Sequence, residues 1–201
     1  MNIVASRLFH WLSRRRIPLA FLAGGLLLIE DLSEGVIPHD LDGLLDGRAD
    51  IIGTMGLFIV LSGCLLRAWA AGVITKASRV CREGPYAIVR HPLYVGSLLI
   101  AIGACIIIDD GIENIMVVAI LASCIYIPKM RREESEMLGK FGEEYARYMV
   151  EKPAIFPWRV PATIDLSWDF RKFLSHREYR TSLAALSCLA LAEVWHHILI
   201  P

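Results

Sequence analysis

Five apolar runs, separated by connectors whose charge alternates in sign, leave this chain few ways to fold. The runs are Ile17 to Ile29, Ile51 to Ile74, Leu93 to Ile108, Ile112 to Ile127 and Leu183 to Ile200. A helix needs about 20 residues to cross the hydrocarbon core of a bilayer, at about 1.5 Å per residue. The second run meets that length. The first meets it by borrowing Trp11 and Leu12, with Arg14, Arg15 and Arg16 snorkelling to the headgroups; no clean cleavage site follows it, so it is expected to be a retained span rather than a signal peptide. The third and fourth runs are short and joined by Asp109-Asp110-Gly111, which predicts a tight helical hairpin.

The connectors orient these spans. Arg7 and Arg14 to Arg16 precede the first run, whereas the loop from Glu30 to Asp50 carries seven acids against Arg48 alone. Lys76, Arg79, Arg82 and Arg90 then face Glu83, the hairpin brings Asp109, Asp110 and Glu113, and Lys129, Arg131 and Arg132 follow the fourth run. Basic loops on one side and acidic loops on the other satisfy the positive-inside rule, which predicts a cytoplasmic N-terminus, a cytoplasmic stretch from Gly84 to Gly96 and a cytoplasmic segment from Lys129 to Arg180. With 55% hydrophobic and 21% charged residues, the expectation is an all-α integral membrane protein of about five spans, a short helical hairpin and a cytoplasmic amphipathic helix. That last helix is read over Lys129 to Glu151, where Met130, Met137, Leu138, Phe141, Tyr145, Tyr148 and Met149 recur at helical spacing. Phe156-Pro157-Trp158 suits an interfacial anchor, and the tract from Arg159 to Arg180 reads as a connector. Formal net charge is zero, which argues against nucleic-acid binding, and the five cysteines are scattered singly, so neither a metal site nor a disulfide framework is expected.

Chemistry concentrates at one mouth. Tyr86, Arg90, His91 and Tyr94 fall within nine residues just before an apolar run, where desolvating an arginine and a histidine is costly. Pro92 suits the first turn of a helix, so Arg90 and His91 sit at a helix N-terminus whose orphan N–H groups favour an anionic group. The alternative is that Arg90 is a topogenic charge and that His91 and Tyr94 are interfacial anchors. Arg67 lies deep in the second run, which calls for a partner, a water-lined cavity or snorkelling along its own stem. Glu133-Glu134 opens the cytoplasmic segment beside Lys129, Arg131 and Arg132. Glu193 and His197 are one turn apart in the last run and suit a pair or a proton relay. No GxGxxG after a strand, P-loop, HExxH or GxSxG is present.

Gly63-Cys64-Leu65-Leu66-Arg67, Gly84-Pro85-Tyr86 leading to Arg90-His91-Pro92-Leu93-Tyr94-Val95-Gly96, Glu133-Glu134, and Phe141-Gly142-Glu143-Glu144-Tyr145 with Tyr148 together resemble the isoprenylcysteine carboxyl methyltransferase family. Phospholipid N-methyltransferases look similar in the same region. The resemblance implies a small multi-span helical protein, divided here into N-terminal spans (1–62), a methyltransferase core (63–158) and a connector with an extra span (159–201). It implies S-adenosylmethionine as cofactor and a lipophilic or lipidated substrate that enters sideways from the bilayer. Ser78, Arg79, Val80, Cys81, Tyr86, His91, Pro92, Leu93, Tyr94 and Glu133 are the positions it assigns to the cofactor. Arg67 and Lys129 would face the substrate, and Arg90 joins them as the third basic group at the mouth. The sequence departs from the family at Val80 to Gly84, at Ser78 in place of a common histidine, and at Lys129 where arginine is usual. The reaction expected is methyl transfer to a carboxylate or amine. The competing expectations are an NADPH-dependent lipid or sterol-type reductase and a non-enzymatic membrane interaction protein.

Overall fold

A computed structural model describes residues 51–74, 79–108, 112–158 and 161–199, with side chains through Leu191. The first apolar run, the acidic loop after it, Ser78, the Asp109 to Gly111 turn and the side chains of Glu193, His196 and His197 lie outside the described residues. Among the described residues all regular structure is helical. The α-helices are α1 (Ile51–Val73), α2 (Pro92–Ile108), α3 (Ile112–Phe141), α4 (Glu143–Glu151), α5 (Phe170–His176) and α6 (Tyr179–Leu199), with one 3-10 turn at Gly84–Ala87.

α1 and α2 form the centre. Gly56 and Gly63 face α2, Gly96 and Gly103 face α1, and the antiparallel helices meet backbone to backbone along this seam. A Cβ on Gly63 would stand 2.6 Å from the Gly96 carbonyl oxygen, and one on Gly103 would stand 2.6 Å from that of Gly56. Small residues at a crossing allow the close packing on which helices in an apolar solvent depend, because burial from water gives them no help there. Val60 and Cys64 of α1 interlock with Ile100 and Ile107 of α2 beside the seam, and Ala185 and Leu189 of α6 pack against this cluster. The opposite face of α1 leaves Ile51, Met55, Phe58 and Leu65 exposed, as expected for a lipid-facing stripe.

Two helices, α1 and α3, are long and apolar enough to cross a membrane, and α2 is a shorter apolar helix of 17 residues. The chain departs from the sequence expectation in α3. The fourth run and the start of the expected cytoplasmic helix form one continuous helix of 30 residues that passes through Pro128. Pro128 removes one N–H from the ladder without ending it, a substitution that apolar helices tolerate more readily than soluble ones. The break comes at Gly142 instead, where φ 52° with ψ −125° is a conformation that a residue with a Cβ rarely adopts. The expected helix over Lys129 to Glu151 is therefore two pieces, the C-terminal end of α3 and the separate α4. α5 also lies within the tract read as a connector. Asp169 caps it, accepting from the Arg171 and Lys172 N–H groups, and Arg177 ends it in the left-handed region at φ 55°.

Candidate active site

The mouth is built on the N-terminus of α2. Gly84, also left-handed at φ 55°, starts the 3-10 turn, and a Cβ there would meet Val73 at 2.9 Å. The turn buries Tyr86 against Ala70, Val73 and Cys81, with Trp69, Ile74 and Leu93 around them. Tyr148 of α4 donates from its hydroxyl to the Tyr86 carbonyl oxygen at 2.8 Å. The segment after α4 then aligns with the next two residues. The Arg90 N–H donates to Pro153 O at 2.8 Å, and the His91 N–H donates to Ala154 O at 3.1 Å. The His91 carbonyl in turn accepts from the Tyr94 and Val95 N–H groups, so His91 caps α2 with its backbone.

α3 supplies the acids, and the two neighbours divide the work. Glu134 is the more enclosed one, with its side chain 13% exposed. Its Oε1 lies 3.0 Å from His91 Nε2 and 3.0 Å from an Arg90 guanidinium nitrogen, and Arg90 also donates to Met149 O at 3.2 Å. Glu133 faces outward. Its side chain is 41% exposed, accepts from the Tyr94 hydroxyl at 2.8 Å and pairs with Lys129 at 3.5 Å. The Lys129 ammonium also lies over the Tyr94 ring, 5.3 Å from its centroid, and the Tyr126 ring packs at a tilt against that of Tyr94, with centroids 5.0 Å apart. His91 Nδ1 is 3.9 Å from Glu133 Oε2.

Burial sets the protonation states. It pushes the His91 imidazole down from its ordinary value, against the opposing pull of Glu134, so a neutral ring donates from Nε2 to that carboxylate. Burial also holds the Tyr86 phenol well above its ordinary range, with the Glu178 and Glu133 charges adding to the effect. Among the described residues the Tyr86 hydroxyl has no hydrogen-bond partner, although it is shut away from solvent. A buried phenol without a partner costs free energy unless something completes it, and a bound ligand is one way to do so.

Arg67 forms a second cluster on the flank of the seam. It is 7% exposed; one guanidinium nitrogen donates to the Leu93 carbonyl at 3.0 Å and to the Ser97 hydroxyl. The other is 2.5 Å from Glu178 Oε2. Gly96 makes this possible, since a Cβ there would strike the Arg67 stem at 2.6 Å. Glu178 arrives through the C-terminal segment, which is tied to the end of α1. Trp168 Nε1 donates to Ala68 O at 3.0 Å, the Asp169 N–H to Gly72 O at 3.0 Å, and His176 Nδ1 to Ala71 O at 3.0 Å. Gly72 leaves the space that the Trp168 ring occupies.

The mouth thus brings Tyr86, Arg90, His91, Pro92, Leu93, Tyr94, Lys129 and Glu133 together, and Arg67 adjoins it through Leu93 and Ser97. The residues before the turn are dispersed. Arg79 is exposed and paired with Glu83 at 2.7 Å, and Val80 packs between Tyr145 and Tyr148. Cys81 backs the Tyr86 ring, and burial raises its thiol. Sequence reasoning named Glu133 for the site and left Glu134 with no role of its own, although the Glu-Glu pair was visible. It missed Glu178 altogether: an isolated acid in a basic connector gives no local sign of a partner far away in the chain.

Residues 50–139 match the isoprenylcysteine carboxyl methyltransferase family, and that interval contains Arg67, the whole Tyr86 to Tyr94 mouth, Lys129 and both glutamates. The chain is 33% identical over 108 residues to the cobalt-zinc-cadmium resistance protein CzcN of Cupriavidus metallidurans, covering 52% of this chain and 48% of that one. It is 32% identical over 108 residues to the nickel-cobalt-cadmium resistance protein NccN of Alcaligenes xylosoxydans xylosoxydans, covering 52% and 49%. The match thus spans about half the length of these curated relatives.

Proposed function

We propose that this chain is a membrane methyltransferase that uses S-adenosylmethionine to methylate a carboxylate or amine on a lipophilic molecule embedded in the bilayer. One observation carries the reading. Of the residues that the family resemblance assigns to the cofactor, Tyr86, His91, Pro92, Leu93, Tyr94 and Glu133 come from separate elements yet lie at one mouth, which includes a buried Tyr86 hydroxyl without a partner among the described residues. The donors and acceptors there suit a small zwitterion. Glu133 and the Tyr94 hydroxyl offer an acceptor and a donor, Lys129 offers a cation, and Tyr86 offers a donor in a dry recess.

S-adenosylmethionine supplies, when bound, a methyl group already activated by its sulfonium. The chain's own task is to bind, orient and exclude water. The seam fixes α2 relative to α1, Glu134 locks the His91 ring and the Arg90 fork, and Glu133 stays accessible for a ligand. Of the residues expected to act on the acceptor, Lys129 lies at the open edge. Arg90 instead braces the mouth through Glu134 and Met149. Exposed apolar side chains on α1 and α3 support entry of the acceptor from the lipid, and the basic loops support a mouth on the cytoplasmic side.

The test is calorimetric titration of S-adenosylhomocysteine into the detergent-purified chain, with NADPH in parallel and His91→Ala and Glu133→Ala as controls. Binding of S-adenosylhomocysteine that both variants lose is the expected result. Binding of NADPH alone would move the reading to a reductase, and binding of neither to the folded chain would end the enzyme reading.

A further inference from the structure

Arg67 is the buried cation that the family resemblance assigns to the acceptor, and in this fold both its terminal nitrogens are already taken, while its buried Nε has no partner among the described residues. Its two terminal nitrogens donate to Leu93 O, to the Ser97 hydroxyl and to Glu178, and the side chains of Arg67 and Glu178 are 8% and 22% exposed. Glu178 lies outside the interval that matches the family. It comes from the turn between α5 and α6, where Arg177 takes the left-handed conformation that aims the next residue back at α1. Three hydrogen bonds from Trp168, Asp169 and His176 fasten that segment to the last carbonyls of α1. Glu178 is therefore held in place by its surroundings as well as by its charge.

The rest of the site is balanced in the same way. Lys129 faces Glu133, Arg90 faces Glu134, and His91 is buried as the neutral ring. An entering carboxylate that takes the Arg67 fork at its terminal nitrogens would have to displace Glu178, and one that meets Nε alone would stand beside the Glu178 charge, so either way two acids share one arginine in a poorly solvated place. An uncharged nucleophile meets no such competitor.

Resting on the methyltransferase reading above, we infer that Glu178 is a specificity-determining residue that occupies Arg67 as an internal carboxylate and so restricts the acceptor to an uncharged nucleophile of the amine class. In that reaction the acceptor ammonium first gives its proton to water, the freed nitrogen lone pair forms the new C–N bond, the C–S pair returns to sulfur as S-adenosylhomocysteine leaves, and the proton on the new ammonium passes to water.

The experiment titrates two lipophilic probes, an N-acetyl prenylcysteine as carboxylate and a long-chain primary amine, into the detergent-purified full chain. The proteins are wild type, Glu178→Gln and the double variant Arg67→Gln/Glu178→Gln, and each also receives S-adenosylhomocysteine. Glu178→Gln is expected to bind the carboxylate about tenfold or more tightly than wild type, and the double variant is expected to lose that gain. Wild type is expected to prefer the amine. Equal carboxylate affinity in wild type and Glu178→Gln, a gain that survives in the double variant, or a wild-type preference for the carboxylate would each overturn the inference. Should Glu178→Gln fail to fold, Glu178→Ser takes its place with the same expectation. If S-adenosylhomocysteine binds none of the folded proteins, the methyltransferase reading falls, while the carboxylate titrations still judge whether Glu178 blocks Arg67.

Discussion

The Glu133–Glu134 cluster and the Arg67–Glu178 pair are both charged assemblies at the edge of an apolar core, but they are closed in different ways. The first joins the α2 N-terminus to one turn of α3, with Lys129 reaching Glu133 along the same helix face. The second joins residues 111 positions apart and depends on a short helix, a left-handed turn and three hydrogen bonds to hold one carboxylate in place. The difference teaches that a cluster written into a compact motif tends to stay with the motif, whereas one closed from a distance can change with the distant segment. On the inference above, the matched interval would keep its mouth while a flanking segment changes what the adjoining arginine can bind.

The comparison can be broken most severely at Glu134. Replacing it with alanine leaves Arg90 and His91 buried without their acid and is expected to cost about 3–5 kcal/mol, the range for breaking a buried pair. Chemical denaturation in detergent would read this, and a loss below about 1 kcal/mol would show that water reaches the cluster. Arg67→Ala strands Glu178, which sees more solvent, so a smaller loss of about 2–3 kcal/mol is expected. A cycle of Arg67→Gln, Glu178→Gln and the double variant should show coupling between the two positions, since they touch.

Glu133 sharpens the contrast within the mouth itself. Glu133→Gln is expected to change stability by less than about 1 kcal/mol, because the Glu133 side chain is itself 41% exposed, yet to weaken S-adenosylhomocysteine binding by about tenfold or more. Parallel denaturation and calorimetry separate the two. Equal effects on both would place Glu133 with Glu134 as a brace.

The pH dependence follows from His91. Its folded value lies below the ordinary 6.5, so the unfolded chain takes up a proton that the folded one still refuses. The unfolded state then binds more protons, and stability, full above 6.5, declines as pH falls through the window beneath it. Thermal melts between pH 7.5 and pH 5 should show that decline, and His91→Gln should flatten it. The smallest effect belongs to the Arg177 turn. Glycine there relieves a left-handed side chain and is expected to stabilise the chain by about 0.5–1 kcal/mol without moving Glu178.

What the sequence made legible follows the same division. α1 and α2 could be read from their apolar runs, and Gly96 could be read as room for a close neighbour, because both are local signals. The tie between Tyr94 and Glu133 was legible only through the motif, since nothing in the spacing says which acid turns outward. The continuity of α3 was hidden by Pro128, which reads as a helix end when the surrounding solvent is unknown. α5 was hidden by a tract too short and too mixed to show periodicity. Glu178 had no signal at all, because its partner is set by how α5 docks on α1.

The glycine seam has one more consequence. Each helix carries its two contact points two full turns apart, so the pair acts as a vernier: contact at one notch is confirmed at the other, and sliding by a single residue loses both. Arg67 is thereby kept level with Ser97, and the mouth inherits the precision of a helical repeat rather than that of a loop. On the methyltransferase proposal, an acceptor arriving from the lipid would meet a fixed gauge, and any adjustment to its size would come from the α3 side.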